Sequence, residues 1–277
     1  MGSEMSHRHQ PLFRFAQIAD THILEPASAG ILIHAMDRLE SMRRALSFVV
    51  FLGDMVESGK PEQYNLLLRA LSRLRLPYHT VVGNHDIGNV GDRRRYSRFL
   101  GPANRSFQFR GVACIILDTN NSDGNPENWH GRVEPPAMRW LKKALGGLDV
   151  RKPVLLFTHH GLFGSREELE CDVENADEVL RLLDGRKILG AFAGHAHRLR
   201  ALRRGEAEFS ICPALSTRRE NKGGEPPGMV LVEVHRDGVR TFFHMMPEEF
   251  VQSPASAPTL SIREGICVPG NGGTHSI

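Results

Sequence analysis

Five short polar motifs follow one another along this chain, and each stands at the end of an apolar run rich in β-branched residues. Hydrophobic runs that stop abruptly at Asp, Asn and His are typical of an open α/β sheet whose strand ends present polar side chains to one site. The pattern therefore favours a metal site that holds two ions. The motifs are Asp20-Thr21-His22, Gly53-Asp54, Gly83-Asn84-His85-Asp86, His159-His160 and Gly194-His195-Ala196-His197.

The residue types in these motifs form a consistent set of metal ligands. Carboxylate oxygen, amide oxygen and neutral imidazole are what hard to borderline divalent cations bind, and no thiolate is among them. The groups are too many for one ion, and they suit two ions about 3.5–4 Å apart that share a carboxylate and a water. Each motif alone favours turn and cap residues at strand ends, whereas the set as a whole favours metal binding.

Glycines precede three of the motif residues, at positions 53, 83 and 194. We expect them to allow a backbone geometry that a side chain would obstruct. The Asp20/His22 and His195/His197 pairs have a spacing of i, i+2. In a tight turn this spacing places both side chains on one side of the loop.

Apolar periodicity predicts alternating strands and helices over most of the chain. This alternation favours parallel strands joined by right-handed crossovers, and the strand-rich last third predicts a second sheet. Strands are predicted at 12–19, 47–52, 78–82, 112–117, 153–158, 188–193, 207–211, 229–234 and 239–245, and helices at 35–46, 61–76, 135–145 and 173–183.

Composition limits the classes of protein that this chain can represent. Its 277 residues are enough for one large α/β domain, which we place at 12–250, between an N-terminal extension or cloning remnant at 1–11 and a tail at 251–277. The net charge of +3 gives no reason to expect a nucleic acid duplex or an anionic membrane as partner. No run approaches the ~18 apolar residues of a membrane span. Four scattered cysteines and a polar N-terminal segment favour a cytoplasmic location. Assembly into a homo-oligomer is left open by the sequence.

Taken together and in this order, the motifs resemble those of the calcineurin-like metallophosphoesterase superfamily, from about residue 13 to residue 245. Any one motif is weak, GNHD with a later GHxH is fairly specific, and all five together are strong evidence. The resemblance implies an α/β fold, a four-layer α-β-β-α sandwich of two mixed sheets flanked by helices. It also implies phosphoester hydrolysis by a hydroxide that bridges two divalent ions, with Mn, Fe, Co or Zn as candidates.

The same resemblance implies a role for each polar side chain. His85 is expected to be a catalytic residue that binds no metal and either stabilises the transition state or protonates the leaving oxygen. His159 follows its strand directly and is preferred to His160 as a ligand, which leaves His160 to orient a ligand or the substrate. Glu57 stands where the family often has an Asp that partners the catalytic histidine. The first ion would take Asp20, His22, Asp54 and His197, and the second Asp54, Asn84, His159 and His195, with Asp54 as the bridge.

Within the superfamily, the segments between the motifs favour phosphodiesterases. The stretch 53–64, the Leu117-Asp118-Thr119 segment and Gly131-Arg132-Val133 resemble bacterial class III cyclic-nucleotide phosphodiesterases and glycerophosphodiesterases. We therefore expect a small-molecule phosphodiester substrate. A phosphomonoesterase or protein phosphatase on the same site is the alternative, although GNHD and Glu57-Ser58-Gly59 differ from the GNHE and Asp-Arg-Gly of protein phosphatases. A non-catalytic binding scaffold is the third hypothesis.

Two loops and two groups of arginines lie near the expected substrate side. Loop position makes His130 a candidate for substrate contact, and Asn120 departs from the pattern of the relatives. The arginines at 93–95 and at 198–204 are interpreted as solvated helix faces rather than as a rim that attracts phosphate.

Overall fold

The computed structural model describes residues 10–88, 91–121, 130–163, 173–216 and 221–247. In these residues two mixed β-sheets pack face to face, with helices on their outer faces. The predicted tail lies outside the described residues, and so does the N-terminal extension apart from residues 10 and 11. Among the described residues, no helix has both the length and the apolar composition needed to cross a bilayer.

The strands are β1 (Phe13–Ile18), β2 (Phe48–Phe51), β3 (Tyr78–Thr80), β4 (Arg105–Phe109), β5 (Val112–Ile116), β6 (Val154–Phe157), β7 (Ile188–Ala193), β8 (Arg200–Arg204), β9 (Ala207–Ile211), β10 (Gly228–Val234) and β11 (Val239–Met245). The helices are α1 (Gly30–Ser41), α2 (Pro61–Leu71), α3 (Asn84–Ile87), α4 (Arg93–Leu100), α5 (Pro135–Gly146) and α6 (Ala176–Leu183), and a 3-10 turn (Pro26–Ala29) precedes α1.

Both sheets are mixed: the first has antiparallel strands at one edge, and the second has them at both. The first has the strand order β11-β10-β1-β2-β3, with β1, β2 and β3 parallel. The second has the order β4-β5-β6-β7-β9-β8, with β5, β6, β7 and β9 parallel. The two predicted sheets are present, and the strands of the last third are divided between them. β10 pairs antiparallel with β1 and so extends the first sheet, while β9 joins β7 in the second.

Three apolar layers account for the order of the sandwich. Between the sheets, Phe15 and Phe48 stack at a centroid distance of 5.1 Å, and Phe15 also contacts Phe157 and Phe192 of the second sheet. Outside the first sheet, α1 and α2 bury their apolar faces on β1 and β2. Outside the second sheet, α5 and α6 do the same on β5 and β6. The predicted four-layer sandwich is confirmed.

Several element boundaries differ from the sequence predictions. The first helix spans residues 30–41 rather than 35–46, because the 3-10 turn runs directly into it. Helix α2 ends at Leu71 rather than at residue 76, and a turn at residues 72–73 follows it. The fourth predicted helix begins at Ala176 rather than at residue 173, and Val173 instead forms a β-bridge with Gly131.

The two arginine groups also differ from the prediction. Residues 93–100 form α4, but the Arg93 side chain is partly buried and its Nε donates to the Asp118 carboxylate. Arg94 is exposed, in agreement with a solvated face. Residues 200–204 are not helical. They form β8, an edge strand paired antiparallel with β9.

Candidate metal centre

The predicted ligands follow the carboxyl ends of parallel strands in both sheets. Asp20 and His22 follow β1, Asp54 follows β2, and Asn84 opens α3 just beyond β3. From the second sheet, the residues at 159–160 follow β6 and those at 195–197 follow β7. Ligand atoms converge to within 4.8 Å of one another in overlapping groups: Asp20/His22/His197, Asp20/Asp54/His159 and His159/His160/His195.

Several of these atoms are as far apart as neighbouring ligands of a single ion. Two atoms about 2.1 Å from an ion and at right angles to each other are about 3 Å apart. His22 Nε2 and His197 Nε2 lie 3.1 Å apart, and so do His159 Nε2 and Asn84 Oδ1. The donor set and its spacing therefore fit divalent cations.

Asp54 lies between the two predicted ligand groups. Its Oδ2 is 3.9 Å from Nε2 of His22 on one side and 3.3 Å from Nε2 of His159 on the other. Its Oδ1 accepts a hydrogen bond of 2.8 Å from the main-chain N–H of His85. Burial raises the pKa of Asp54, but His159, His85 and His22 outweigh it and lower this pKa well below 3.8. The carboxylate is therefore ionised at neutral pH, as a bridging ligand must be.

The pKa values of the neighbouring histidines depend on burial and on the charges of the groups around them. Burial lowers the pKa of His159, but Asp54 outweighs burial and raises it to about 9. Burial likewise lowers the pKa of His197, and Asp20 raises it above 6.5. The pKa of His195 falls well below 6.5 because of burial and the neighbouring His160 and His159. The two carboxylates thus stabilise positive charge in the positions predicted for cations.

Hydrogen-bond partners separate the roles of His159 and His160. His159 Nδ1 lies 2.8 Å from the Leu52 carbonyl oxygen, which can only accept, so Nδ1 carries a proton and Nε2 is the nitrogen that would bind a metal ion on losing its own proton. The Thr119 hydroxyl oxygen accepts the His160 main-chain N–H at 3.2 Å and lies 2.9 Å from His160 Nδ1. If the hydroxyl donates to Nδ1, the His160 ring carries its proton on Nε2. The contact between His159 Nδ1 and the Leu52 carbonyl supports His159 as the ligand.

Glu57 contacts two histidines through different groups. Its carbonyl oxygen lies 2.7 Å from His85 Nδ1. Its carboxylate is nearer to His22, at 3.0 Å from Nδ1, than to His85, at 3.8 Å. His85 therefore contacts the main chain of Glu57 more closely than the side chain that was expected to be its partner.

The backbone at the motifs is in a conformation that most residues avoid. Five predicted ligands have positive φ angles: Asp20, His22, Asp54, His195 and His197, at 45° to 66°. For residues other than glycine this left-handed region costs about 1–2 kcal/mol each. Among the described residues, Arg110 is the only other non-glycine in that region. Strain concentrated in this way is typical of a functional site.

The three predicted glycine positions are confirmed as close approaches. A Cβ on Gly53 would lie 2.4 Å from His159 Nδ1, and one on Gly83 would lie 2.2 Å from Asp54 Oδ1. A Cβ on Gly194 would lie 2.7 Å from Asp20 Oδ2. Each glycine lets the loop of one strand approach a ligand that follows another strand.

Two carboxylates that the sequence analysis did not single out hold the ligand loops together. Asp86 is fully buried and accepts hydrogen bonds from the N–H groups of Met55, Val56 and Gly83, at 2.8, 3.0 and 2.8 Å. It therefore ties the loop after β2 to the loop after β3. The sequence signal for this role was that Asp86 is the fourth residue of the GNHD motif.

Asp118 organises the neighbouring loop. It binds the Arg93 side chain and accepts hydrogen bonds of 2.9 and 2.7 Å from the main-chain and side-chain nitrogens of Asn120. Asn120 is buried and donates from its amide to the Val82 carbonyl at 2.9 Å, which gives it a role in supporting the segment before Gly83.

His130 is half-buried and precedes Gly131. A Cβ on Gly131 would lie 2.7 Å from the His160 ring, so this loop borders the site. The segment 217–220 lies outside the described residues.

Known proteins match this chain in sequence and in fold. A sequence model described as calcineurin-like phosphoesterase matches residues 13–199. A 3',5'-cyclic-nucleotide phosphodiesterase of Nostoc sp. is 25% identical over 82% of this chain and 89% of its own length. A cAMP/cGMP dual specificity phosphodiesterase of Mycobacterium tuberculosis is 27% identical over 68% of this chain and 63% of its own. A glycerophosphodiester phosphodiesterase of Enterobacter lignolyticus is 26% identical over 65% and 66%.

Solved structures share the fold at low sequence identity. The purple acid phosphatase of yellow lupin seeds superposes with a TM-score of 0.57 and 13% identity, over 92% of this chain and 57% of its own. A 5'-nucleotidase of Candida albicans gives a TM-score of 0.54 and 12% identity, over 87% and 53%. At these identities the likeness concerns the architecture alone.

Proposed function

Because this chain belongs to the calcineurin-like phosphoesterase family, a family of metal-dependent hydrolases of phosphoester bonds, we propose that it cleaves small phosphodiesters at a centre of two divalent ions. The observation that carries the proposal is the position of Asp54 Oδ2, within 3.9 Å of His22 on one side and 3.3 Å of His159 on the other. A carboxylate oxygen that faces two groups of ligands is what a two-ion centre requires.

The side chains divide into two ligand groups that share Asp54. Asp20, His22 and His197 complete the first group, and Asn84, His159 and His195 the second. When bound, two cations supply the Lewis acidity that acidifies water and neutralises charge on the phosphoryl oxygens. Mn, Fe, Co and Zn all suit this set of imidazole and oxygen donors.

His85 is proposed to act on the leaving group. Its Nδ1 lies 2.7 Å from the Glu57 carbonyl oxygen, so Nδ1 carries a proton and Nε2 is the atom that delivers or accepts one. The main-chain N–H of His85 also donates to Asp54, which fixes the loop relative to the ligands. His160, with a proton on Nε2, is proposed to donate a hydrogen bond next to His195.

The relatives support a diester rather than a monoester substrate. Those compared are named as phosphodiesterases of cyclic nucleotides or of glycerophosphodiesters. We propose one of these two classes as the substrate of this chain.

A substrate panel tests this function. Protein loaded with Mn²⁺, Fe²⁺, Co²⁺ or Zn²⁺ is assayed on bis(p-nitrophenyl) phosphate, p-nitrophenyl phosphate, cyclic AMP and glycerophosphocholine. We expect kcat/KM to be higher on the aryl diester than on the aryl monoester, with turnover of at least one natural diester. A strong preference for the monoester would instead favour the phosphomonoesterase alternative.

A matched pair of variants tests the site. Asp54→Asn is expected to lower kcat/KM on the aryl diester by at least 100-fold and to reduce the bound metal. Asp37→Asn, on a half-exposed ion pair with Arg73, is the control and is expected to match the wild type. The proposal would be contradicted if the metal-loaded wild type had no activity and Asp54→Asn bound as much metal as the wild type.

A further inference from the structure

Glu57 contacts both a predicted first-group ligand, His22, and the predicted proton-transfer residue, His85. Its carboxylate is 3.0 Å from His22 Nδ1, and its carbonyl oxygen is 2.7 Å from His85 Nδ1. The two imidazole rings pack edge to face, with centroids 4.7 Å apart and planes at 86°. One residue is therefore in a position to orient both rings.

The backbone of Glu57 is held independently of its side chain. Its N–H donates to the Ile23 carbonyl at 3.0 Å, and Val56 forms a β-bridge with Ile23. Asp86 fixes the preceding two residues through their N–H groups. Substitution of the Glu57 side chain should therefore leave its carbonyl oxygen, and hence the contact to His85, in place.

His22 needs an acceptor at Nδ1 in order to present Nε2 as a ligand. Its Nε2 faces His197 Nε2 at 3.1 Å and Asp54 Oδ2 at 3.9 Å, so Nε2 is the atom on the metal side. The opposite nitrogen is buried and has no aligned hydrogen bond among the described residues, and the Glu57 carboxylate is the acceptor within 3.0 Å of it. A carboxylate behind a ligating histidine selects the tautomer and raises ligand basicity.

We infer that Glu57 is a positioning residue with two separate functions: its carboxylate holds His22 for the first metal ion, and its carbonyl oxygen holds His85. The inference rests on the proposed two-ion site. It differs from an arrangement in which the side chain at this position serves the catalytic histidine, because the carboxylate oxygen nearest to His85 Nδ1 is 3.8 Å away.

A third ion bound by His22, Glu57 and His85 is the competing interpretation, since these side chains also bring ligand atoms within 4.8 Å. His85 Nδ1, however, faces a carbonyl oxygen and so carries a proton there. A protonated nitrogen has no lone pair to offer, which favours the positioning role.

The test compares Glu57→Gln, Glu57→Asp and Glu57→Ala with the wild type and with Glu62→Gln, an exposed control on α2. Calorimetric titration of metal-free protein with Mn²⁺ gives the number of ions and their affinities. Gln keeps an acceptor oxygen at full reach and should weaken the first site least. Asp is shorter by one C–C bond, about 1.5 Å, and should behave like Ala, with a loss of about 10–100-fold in affinity.

Nitrogen-detected NMR of the metal-free proteins reads the tautomers directly. In Glu57→Ala we expect His22 to lose its single Nδ1–H form while His85 keeps it. Circular dichroism establishes that each variant is folded. If Glu57→Asp retained wild-type metal affinity and tautomers, or if His85 rather than His22 changed, or if three ions bound, the inference would be overturned. If the wild type bound no metal, the proposed function would fail, and the tautomers alone would decide the role of Glu57.

Discussion

Gly83 has no Cβ, and the position of Asp54, the proposed bridge between the two ligand groups, depends on that. A Cβ there would lie 2.2 Å from Asp54 Oδ1 and 2.3 Å from the Asp54 main-chain nitrogen, and the backbone atom cannot move aside. We predict that Gly83→Ala displaces Asp54 and lowers kcat/KM on an aryl phosphodiester by on the order of 100-fold, with reduced bound metal.

Gly146→Ala is the matched control for Gly83→Ala. Gly146 ends α5, and a Cβ there meets nothing within 4 Å. Steady-state kinetics and metal analysis of both variants compare the same chemical change at a crowded and an open position. Equal activity of the two variants would show that Asp54 tolerates the displacement.

For single residues, the sequence predicted which side chains come together at the site but not how their rings and carboxylates are oriented. Asp20, His22 and Asp54 could be named because strand-end motifs report residue type and order. The tautomer of His159 depends on the Leu52 carbonyl, 107 positions away along the chain, and no local pattern specifies that contact. Glu57 could be singled out by position, but only its distances show that it faces His22.

The turn of hairpin β4–β5 contains the same left-handed backbone conformation as the predicted ligands, in a single element where its cost in stability can be measured. Arg110 and Gly111 form its two-residue turn, with φ angles of 49° and 84°. Both values are positive, as in the type I′ turn that prefers Asn-Gly. We predict that Arg110→Asn raises the free energy of unfolding by about 0.5–1 kcal/mol, because Asn tolerates the left-handed region better than Arg.

Urea denaturation checks the Arg110 prediction. Arg236→Asn is the control, since Arg236 lies in the β10–β11 turn without a positive φ, and it should leave stability unchanged within error. Catalytic activity should be the same in both variants. A destabilised Arg110→Asn would mean that the arginine side chain contributes more than the backbone strain costs.

Two edge strands, β4 and β8, were not predicted from the sequence. β4 has the sequence Arg-Ser-Phe-Gln-Phe, and its residues alternate between half-buried and exposed, so a period-2 signal was present but weakly apolar. β8 is made mostly of arginines and has no apolar alternation to reveal it. The central strands β2, β6 and β7, buried on both faces, were predicted because continuous apolar runs are their signature.

The assignment of strands to sheets belongs to the whole molecule. β9 and β10 are neighbours in sequence, yet they lie in different sheets, because β10 pairs with β1 from the opposite end of the domain. Each strand's own pattern predicts its burial but not its partner, since pairing depends on contacts more than 200 positions apart. The family resemblance supplied the four-layer order that periodicity could not.

Ions bound at this site would connect the two sheets, and this leads to a prediction for the stability of the whole domain. Asp20 and Asp54 follow strands of the first sheet, whereas His159 and His195 follow strands of the second. A ligand that binds only the folded protein stabilises it by about 2.7 kcal/mol at 100 times its Kd. For a chain of this size that corresponds to an increase in Tm of roughly 5–10 °C.

We therefore predict that Mn²⁺ or Zn²⁺ raises the Tm of metal-free protein by this amount and that a chelator reverses the rise. Differential scanning calorimetry at several metal concentrations measures it. Asp37→Asn should show the full increase, and Asp54→Asn, which lacks the proposed bridging carboxylate, should show less than half of it. Equal increases in the two variants would place the stabilising ions somewhere other than between the sheets.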